Sequence, residues 1–168
     1  MELLAEISEE TFGKKAPKNV RYKVRRAARA VIFNKENKIA LMYASKYGYY
    51  KLPGGGIEER ESIEHALKRE AMEEVGARIK IGRPVGIINE YRGKFKTFQI
   101  SYCFVCKLVS KKLSKPKPTL EEIGEGFEVK WVTPKQAIRL VKDSETEYLD
   151  SQFITFRDQR FINEAMKG

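Results

Sequence analysis

Apolar residues recur along this chain with two periods, one typical of β-strands and one typical of amphipathic helices. Alternating or continuous apolar stretches, rich in β-branched and aromatic residues, predict strands in residues 22–34, 39–50, 80–92, 96–109 and 127–132. Helical spacing predicts helices in residues 62–75, 134–142 and 150–166. This order of strands, helix, strands and helices favours a mixed β-sheet with helices packed against it.

Turn-forming residues predict the connections between these elements. Residues 34–38, Asn-Lys-Glu-Asn-Lys, predict the turn of a β-hairpin between the first two strands. Residues 110–126 predict a long loop, basic first and acidic later, and long ordered loops are often functional. Thr133 followed by Pro134 predicts the start of a helix, because threonine is a good N-cap and proline suits the first helical position.

The length of the chain, 168 residues, fits one domain with a sizeable core. Residues 1–20 are expected to form a loosely structured lead-in with a short helix, and residues 21–168 a single domain. The first residues lack the pattern of a secretory signal, and no apolar run reaches the ~18 residues that a membrane span needs. We therefore expect a cytoplasmic protein that has no membrane partner.

An acidic segment interrupts an otherwise basic chain. The net charge is +10, but residues 58–74 carry seven acids and three bases, which leaves +14 on the rest. A positive surface attracts anions, and an acidic island within it suits a cation. Phosphates bound through a divalent metal would fit both parts, whereas the alternative is a solvated basic surface that aids solubility.

The sequence contains a Cys-x-x-Cys pattern, Cys103 and Cys106, inside an apolar run that predicts a buried strand. Residues three apart on a strand point to opposite faces. A redox pair is expected at the start of a helix, and a zinc site needs two more ligands. We interpret both cysteines as core thiols, and the single histidine, His65, as a structural residue within a helix.

Three glutamates, Glu70, Glu73 and Glu74, lie close together near the end of the first predicted helix. At ~100° per residue they fall within an arc of about 100°, on the face that is apolar in the preceding turns. Grouping carboxylates there is costly without a cation, and Mg²⁺ prefers oxygen ligands. The alternative is a solvated acidic face, although Glu70 and Glu74 would then repel each other as an i,i+4 pair.

The residues before this helix extend the same interpretation. Gly54, Gly55 and Gly56 permit tight turns and let the backbone approach a ligand, so their carbonyls can join a metal shell. Glu61 lies eight residues, about two helical turns, before Arg69. We expect these two side chains to pair and to hold the glycine loop against the helix.

Together these residues resemble the Nudix box of the Nudix hydrolase family (MutT-like). The spacing is Gly55, five residues, Glu61, seven residues and then Arg-Glu-Ala-Met-Glu-Glu-Val-Gly-Ala at 69–77, preceded by Leu-Pro-Gly-Gly. The fixed positions are all matched: Gly55, Glu61, Arg69, Glu70, Glu73, Glu74 and Gly76. Ala71, Ala77 and Tyr50 depart from the residues common in the family without affecting the carboxylates. The element order from about 22 to 142 looks like the whole family domain.

The resemblance implies an α/β (α+β) fold, a mixed β-sheet sandwiched between helices, and a pyrophosphohydrolase that uses Mg²⁺ (or Mn²⁺). Carried over by position, Glu70 and Glu74 are the main metal ligands, Glu73 is a further ligand or holds metal-bound water, and the carbonyl of Gly54 is another ligand. Gly55, Glu61, Arg69 and Gly76 are the structural residues of the motif.

The resemblance leaves the proton acceptor open between Glu73 and a glutamate of the late loop. Glu125 is preferred there, followed by Glu122, over the other loop acids, Glu121 and Glu128. Basic side chains are candidates to bind phosphate oxygens: Arg26, Arg29, Lys51 and Arg92.

The box indicates the bond that is broken but not the molecule. A phosphorylated small molecule is the expected partner: a nucleoside triphosphate, nucleotide sugar or dinucleotide polyphosphate. Tyr91 lies near a tyrosine of members that act on diadenosine polyphosphates, or it is a packed strand residue. The alternatives are an RNA 5′-end pyrophosphohydrolase, which the basic residues 111–117 favour, and a non-catalytic nucleotide-binding module. The oligomeric state stays open, with a homodimer among the alternatives.

Overall fold

The structure is a computed structural model that describes residues 1–109, 114–118, 120–144 and 149–168, without the side chains of Glu121, Glu122, Glu125, Leu149 and Asp150. Eight strands are present in these residues: β1 Leu3–Ser8, β2 Lys23–Phe33, β3 Ile39–Ala44, β4 Tyr49–Lys51, β5 Gly54–Gly56, β6 Ile79–Arg92, β7 Thr97–Leu108 and β8 Phe127–Val132. The α-helices are α1 Ile63–Glu70, α2 Leu120–Glu125, α3 Pro134–Lys142 and α4 Leu149–Ala165.

All eight strands belong to one mixed sheet. Its order is β1-β6-β7-β2-β3-β4, with β5 paired to β2 and β8 paired to β3. The β1–β6 and β2–β7 pairs are parallel, whereas β6–β7, β3–β8 and β2–β5 are antiparallel. The predicted mixed sheet is confirmed, and so is the hairpin between β2 and β3, which closes at Phe33 and Ile39.

Helices cover both faces of the sheet, because successive strand residues point to opposite sides. One apolar cluster joins Ala30 and Ile32 of β2 to Leu67 of α1. The other joins Val31, from the opposite face of β2, to Phe153 and other residues of α4 and to α3. The predicted sandwich of a mixed sheet between helices is confirmed.

The beginning of the chain is more ordered than the expected loosely structured lead-in. Leu3–Ser8 forms β1, which pairs with β6 at the edge of the sheet, and the expected short helix is present as a 3₁₀ helix at Glu9–Phe12, capped by Ser8. The partner strand lies about 80 residues further along the chain, so no local pattern in the first residues predicts this pairing.

Three further elements differ in detail from the prediction. The predicted helix 62–75 is α-helical only to Glu70 and continues as a π-helical turn at Ala71–Val75, ended by Gly76 in a left-handed conformation. The predicted strand 39–50 is split into β3 and β4 by a tight turn. The predicted loop 110–126 contains α2.

The later helices follow the prediction closely. Helix α3 begins at Pro134 behind the Thr133 cap, as predicted, and α4 lies within one residue of the predicted 150–166. Among the residues that the structure describes, no helix is both long and apolar enough to cross a bilayer.

Candidate active site

The glycine loop lies directly against α1. Strand β5 pairs with β2 so that Gly54 is opposite Arg29 and Gly55 is opposite Ala28. A Cβ at Gly54 would overlap the backbone of Ala28, and one at Gly55 would overlap the carboxylate of Glu70. The absence of side chains therefore lets the loop approach a strand on one side and a carboxylate on the other.

Arg69 joins the loop to the helix, as predicted. Its Nε and Nη2 donate to the two carboxylate oxygens of Glu61, each at 2.9 Å, and Nη2 also donates to the carbonyl of Gly56 at 2.9 Å. This pairing lowers the pKa of Glu61 to about 2. The second terminal nitrogen of Arg69 contacts Glu70 at 2.7 Å and Glu73 at 3.2 Å. Arg69 therefore orients two of the three predicted ligands.

Glu74 is almost completely buried. One of its oxygens accepts from the Lys51 ammonium at 2.9 Å, and the other accepts from the backbone N–H of Gly54 at 2.6 Å. Burial raises the pKa of Glu74 to about 7, and Lys51 opposes this rise. A buried carboxylate of this kind is stable in its charged form only beside a cation, and Lys51 is that cation here.

The donor chemistry of these glutamates fits a hard divalent cation. Glu70, Glu73 and Glu74 supply carboxylate oxygens, and the Gly54 carbonyl is adjacent through the contact between its N–H and Glu74. In the described residues, no three His, Cys, Asp or Glu side chains are arranged as a ready metal-binding group. Their oxygens are instead hydrogen-bonded to cationic side chains, that of Glu74 to Lys51 and those of Glu70 and Glu73 to Arg69. A bound metal ion would take over the role of these cations.

The carbonyl of Gly54, unlike its N–H, is bound to an arginine: Arg29 donates a hydrogen bond to it. A carbonyl oxygen has two lone pairs, so this bond leaves one for a metal. Burial and the nearby Arg157 lower the pKa of Arg29 to about 10. Arg29 is held within a cluster of like charges beside the predicted metal ligands.

A cleft of about 720 Å³ opens between the glycine loop, the sheet and α4. Its charged lining includes a basic set: Arg25, Arg29, Lys51, Arg69, Arg92 and Arg157. It also includes acids, Glu58, Glu70 and Glu73, and three aromatic residues, Tyr49, Phe95 and Phe127. The volume is typical of a small-molecule pocket, and the density of charge indicates a charged ligand.

The sequence interpretation did not assign a role to Arg157 and Asp158 of α4. Arg157 lies between Phe153 and Phe161 at a spacing of four, so a charged residue interrupts the buried stripe of the helix. Its Nε donates to Asp158 at 2.7 Å, and Asp158 accepts from the N–H of Leu52 at 2.7 Å. The interrupted stripe was the available sequence signal.

Several other candidates lie elsewhere or outside the described residues. The side chains of Glu125, Glu122 and Glu121 are not described, and Glu128 is exposed and paired with Lys130. Among the candidate phosphate-binding residues, Arg26 does not line the cleft and lies over the ring of Tyr102.

The remaining predictions concern residues that pack or pair away from the chemistry. Tyr91 stacks on Phe98 with ring centres 4.7 Å apart, as expected of a packed strand residue. Both cysteines are free and buried, as predicted, and burial raises the pKa of Cys106 to about 12. His65 contacts Glu61 at 2.9 Å on the helix surface.

This arrangement of loop, helix and sheet agrees with the comparison to a known family. The family model for the NUDIX domain matches residues 23–152, which is more than half of the chain. The chain belongs to the NUDIX domain family, so the predicted resemblance is confirmed. Membership of this family agrees with the expected enzyme class, a Nudix-type pyrophosphohydrolase, and that activity is a proposal for this chain.

Individual relatives are more distant. The chain is 33% identical over 78 residues to diphosphoinositol polyphosphate phosphohydrolase 2 of Rattus norvegicus, covering 46% of this chain and 44% of that protein. It is 37% identical over 71 residues to an 8-oxo-dGTP diphosphatase of Buchnera aphidicola, covering 40% of this chain and 55% of that protein. The chain thus spans about half the length of these relatives.

Solved structures share the fold. A MutT protein from Methanosarcina mazei superposes with a TM-score of 0.59 at 21% identity, covering 89% of this chain and all of that one. A NUDIX hydrolase from Nitrosomonas europaea gives a TM-score of 0.60 at 20% identity, covering 80% and 89% of the two chains. At these identities the likeness establishes the architecture alone.

Proposed function

We propose that this protein is a Mg²⁺-dependent (or Mn²⁺-dependent) pyrophosphohydrolase that cleaves the diphosphate linkage of a phosphorylated small molecule. The observation that carries the proposal is the convergence of the glycine loop, Glu70 and Glu73 on a cleft that also contains six basic side chains. The acids are suited to a cation and the bases to an anion, and a metal-bound diphosphate combines both.

Glu70, Glu74, Glu73 and the carbonyl of Gly54 are the groups that would hold the metal. A divalent cation bound there would neutralise the diphosphate and lower the pKa of a water molecule. Arg69 holds the carboxylates of Glu70 and Glu73 next to each other through hydrogen bonds from one nitrogen. Lys51, displaced from Glu74, would be available to a phosphate oxygen.

Glu73 is the preferred proton acceptor among the described residues. Its side chain is 35% exposed, the most accessible of the three glutamates, and it lines the cleft. Of the contacts that Arg69 makes with the glutamates of the box, the one with Glu73 is the longest, at 3.2 Å. It involves one oxygen of Glu73, and the other oxygen is available to a water molecule. Glu125 stays an alternative, as a residue of α2.

The relatives suggest two substrate groups. The rat protein's name refers to a diphosphoinositol polyphosphate and the Buchnera protein's name to 8-oxo-dGTP. Both are rich in phosphate, which suits the basic cleft, so both groups belong in the first assay. We also propose a cytoplasmic location, supported by two cysteines that are free and buried, since reduced thiols are usual in that compartment.

The proposal is tested by phosphate and pyrophosphate release from a panel. The panel contains nucleoside triphosphates, nucleotide sugars, dinucleotide polyphosphates, diphosphoinositol polyphosphates and 5′-triphosphorylated RNA, each with Mg²⁺, Mn²⁺ or EDTA. Turnover of one small-molecule class that stops in EDTA supports the proposal. Turnover of RNA alone, falling steeply with added salt, would favour the RNA alternative. Metal binding without turnover of any compound would contradict the enzymatic proposal.

Alanine substitutions at two of the three loop glycines are expected to have different effects, one on metal binding and the other on folding. In Gly55→Ala the new methyl group displaces the Glu70 carboxylate, the movable end of a side chain, so we expect metal affinity to fall at least ~10-fold while the fold is kept. In Gly54→Ala the methyl group meets the Ala28 backbone, and φ at this position is +131°, so we expect a loss of roughly 1–3 kcal/mol or more of stability.

Calorimetric titration with Mn²⁺ and thermal unfolding measure the two effects. Equal metal affinity in Gly55→Ala and the unchanged protein would show that Glu70 is not a ligand. A Gly54→Ala protein as stable as the unchanged one would contradict the described approach of β5 to β2.

A further inference from the structure

One face of the sheet is covered by α1 over only part of its area. Helix α1 packs on Ala28, Ala30 and Ile32 of β2, towards one end of that face. Towards the other end, β6 and β7 present alternate residues that lie opposite one another and point to the same side. We call these six residues the open face: Ile87, Asn89, Tyr91, Phe98, Ile100 and Tyr102.

The open face is largely apolar, and solvent reaches it. All six residues are half-buried, and Leu3 of β1 and Val24 of β2 extend the surface at its two edges with 50% and 60% exposure. None of the apolar clusters in the described part of the chain includes these side chains. From strand and residue spacings the surface measures roughly 300–400 Å². An apolar surface of this size often marks an interaction site.

Opposite charges lie at the two ends of the central row of this surface. The row runs across four strands, because Glu6 of β1 is opposite Asn89, Asn89 is opposite Ile100, and Ile100 is opposite Arg26 of β2. Three strand spacings, roughly 14 Å, separate the acid from the base. Both charged side chains belong to exposed residues.

Neither charge forms an ion pair among the residues that the structure describes. Glu6 accepts hydrogen bonds from neutral groups, the amide of Asn89 at 3.1 Å and the hydroxyl of Tyr91 at 3.4 Å. Arg26 lies over the ring of Tyr102, 5.5 Å from its centre. An acid and a base are therefore available to a partner at opposite ends of an apolar surface.

A second copy of the chain matches this arrangement. A twofold axis that lies in the surface, parallel to the strands and between β6 and β7, reverses the order of the strands. It places Glu6 of each copy opposite Arg26 of the other, and Tyr91 against Phe98 of the partner subunit. It also keeps the strands of the two sheets nearly aligned, as is usual when sheets stack. An axis across the strands would bring like charges together.

The distribution of charge also separates a second copy from a polyanion. The chain carries a net charge of +10, so two copies repel each other over most of their surfaces. The open face and its two ends carry one acid and one base, Glu6 and Arg26, so this contact adds no net charge. A nucleic acid on the same surface would gain one cation and would be repelled by Glu6.

We propose that the open face joins two copies of this chain in a symmetric dimer, in which Glu6 of each copy pairs with Arg26 of the other. The surface is about half of the ~800 Å² per partner that stable complexes bury, so the dissociation constant is expected to be roughly 10 µM or weaker. The protein is then monomeric at the lower concentrations used for unfolding. This inference does not depend on the proposed function.

Reversing the two charges tests the pairing. Glu6→Arg and Arg26→Glu each replace two attractive contacts by two repulsive ones, so each should weaken dimerisation at least ~10-fold. The double variant Glu6→Arg/Arg26→Glu restores both attractive pairs and should dimerise within about 3-fold of the unchanged protein. A 1:1 mixture of the two single variants should also dimerise, since each copy is then complementary to the other.

Sedimentation equilibrium between about 1 µM and about 1 mM measures all of these dissociation constants. Circular dichroism would establish that the variants are folded. Lys35→Glu is the matched control for net charge, because Lys35 is exposed in the turn between β2 and β3, away from the open face. It lowers the net charge as Arg26→Glu does, and it should not weaken dimerisation.

General repulsion and the proposed contact predict different patterns. If repulsion alone governed association, Glu6→Arg would weaken it and Arg26→Glu would strengthen it. The proposed contact requires both single variants to weaken it. An unchanged protein that stays monomeric at about 1 mM, opposite effects of the two single variants, or a double variant and a mixture that both stay monomeric would each overturn the proposal.

Discussion

Replacing Glu74 with glutamine is expected to lower kcat/KM by roughly 1,000-fold or more, because several kcal/mol of transition-state stabilisation would depend on the proposed metal. Glutamine has nearly the same shape, so the hydrogen bond from the Gly54 N–H can remain. The charge that would attract a metal is removed from the most deeply buried of the three glutamates. Initial rates with the best substrate of the panel, measured over a range of Mg²⁺ concentrations, check this result.

The matched control is Glu64→Gln on the exposed face of the same helix. Glu64 contacts Lys68 only at 4.0 Å, with most of its side chain in solvent, so activity should stay within about 2-fold of the unchanged protein. Circular dichroism would establish that both variants are folded. A fully active, metal-responsive Glu74→Gln protein would refute the assignment of this residue as a ligand.

Replacing Glu90 with glutamine is expected to cost about 3–5 kcal/mol of stability, because it leaves two buried arginines without their shared carboxylate. Glu90 contacts Arg92 at 2.6 Å and Arg157 at 3.5 Å, and it accepts from Ser101 at 2.8 Å. A glutamine would direct its own N–H groups at these donors or give up one of its two acceptors. Chemical denaturation at pH 7 measures the loss.

The same residue gives the stability a defined dependence on pH. Burial raises the pKa of Glu90, but Arg157 and Arg92 outweigh it and lower the pKa from 4.5 to about 2. Its stabilisation is therefore complete above about pH 4.5 and is lost as the pH falls towards 2. The difference in free energy of unfolding between Glu90→Gln and the unchanged protein should therefore shrink as the pH is lowered from 6 to 3.

Glu6→Gln is the control for this prediction. Glu6 is an exposed residue of the edge strand β1 and contacts Asn89 at 3.1 Å and Tyr91 at 3.4 Å, so its replacement should change stability by less than about 0.5 kcal/mol. If Glu90→Gln loses as little free energy of unfolding as Glu6→Gln, the cluster of buried charges does not stabilise the fold. A loss of stability that is the same at every pH would contradict the assigned pKa.

The parts of the site that the sequence predicted are those encoded in one continuous segment. Glu61, Arg69 and the box glutamates act through neighbours in the same loop and helix, so their spacing alone carries the geometry. The caps of α3 are local for the same reason. Helical projection failed at Ala71–Val75, because a π-helical turn changes the angle between residues and no residue type there marks it.

The parts that the sequence did not predict depend on contacts between distant segments. The cleft is lined by arginines from β2, β6 and α4, and no spacing in the chain relates them: Arg25, Arg29, Arg92 and Arg157. Strand β1 forms only because β6 offers a free edge. Nothing in the sequence of β6 marks Glu90 as buried. Its burial and its ion pair with Arg157 arise only when α4 packs over the strand. Such contacts are properties of the assembled fold.

The ammonium group of Lys51 lies 2.9 Å from the buried oxygen of Glu74 and would let folding precede binding of the proposed metal. In proteins whose ligands lack any other counter-charge, the chain folds only when the metal arrives. Here Lys51 already supplies a counter-charge to Glu74, so we expect the chain to fold without divalent ions and to bind the proposed metal afterwards. Dialysis against a chelator should accordingly yield a folded, storable protein that recovers activity when Mg²⁺ is returned.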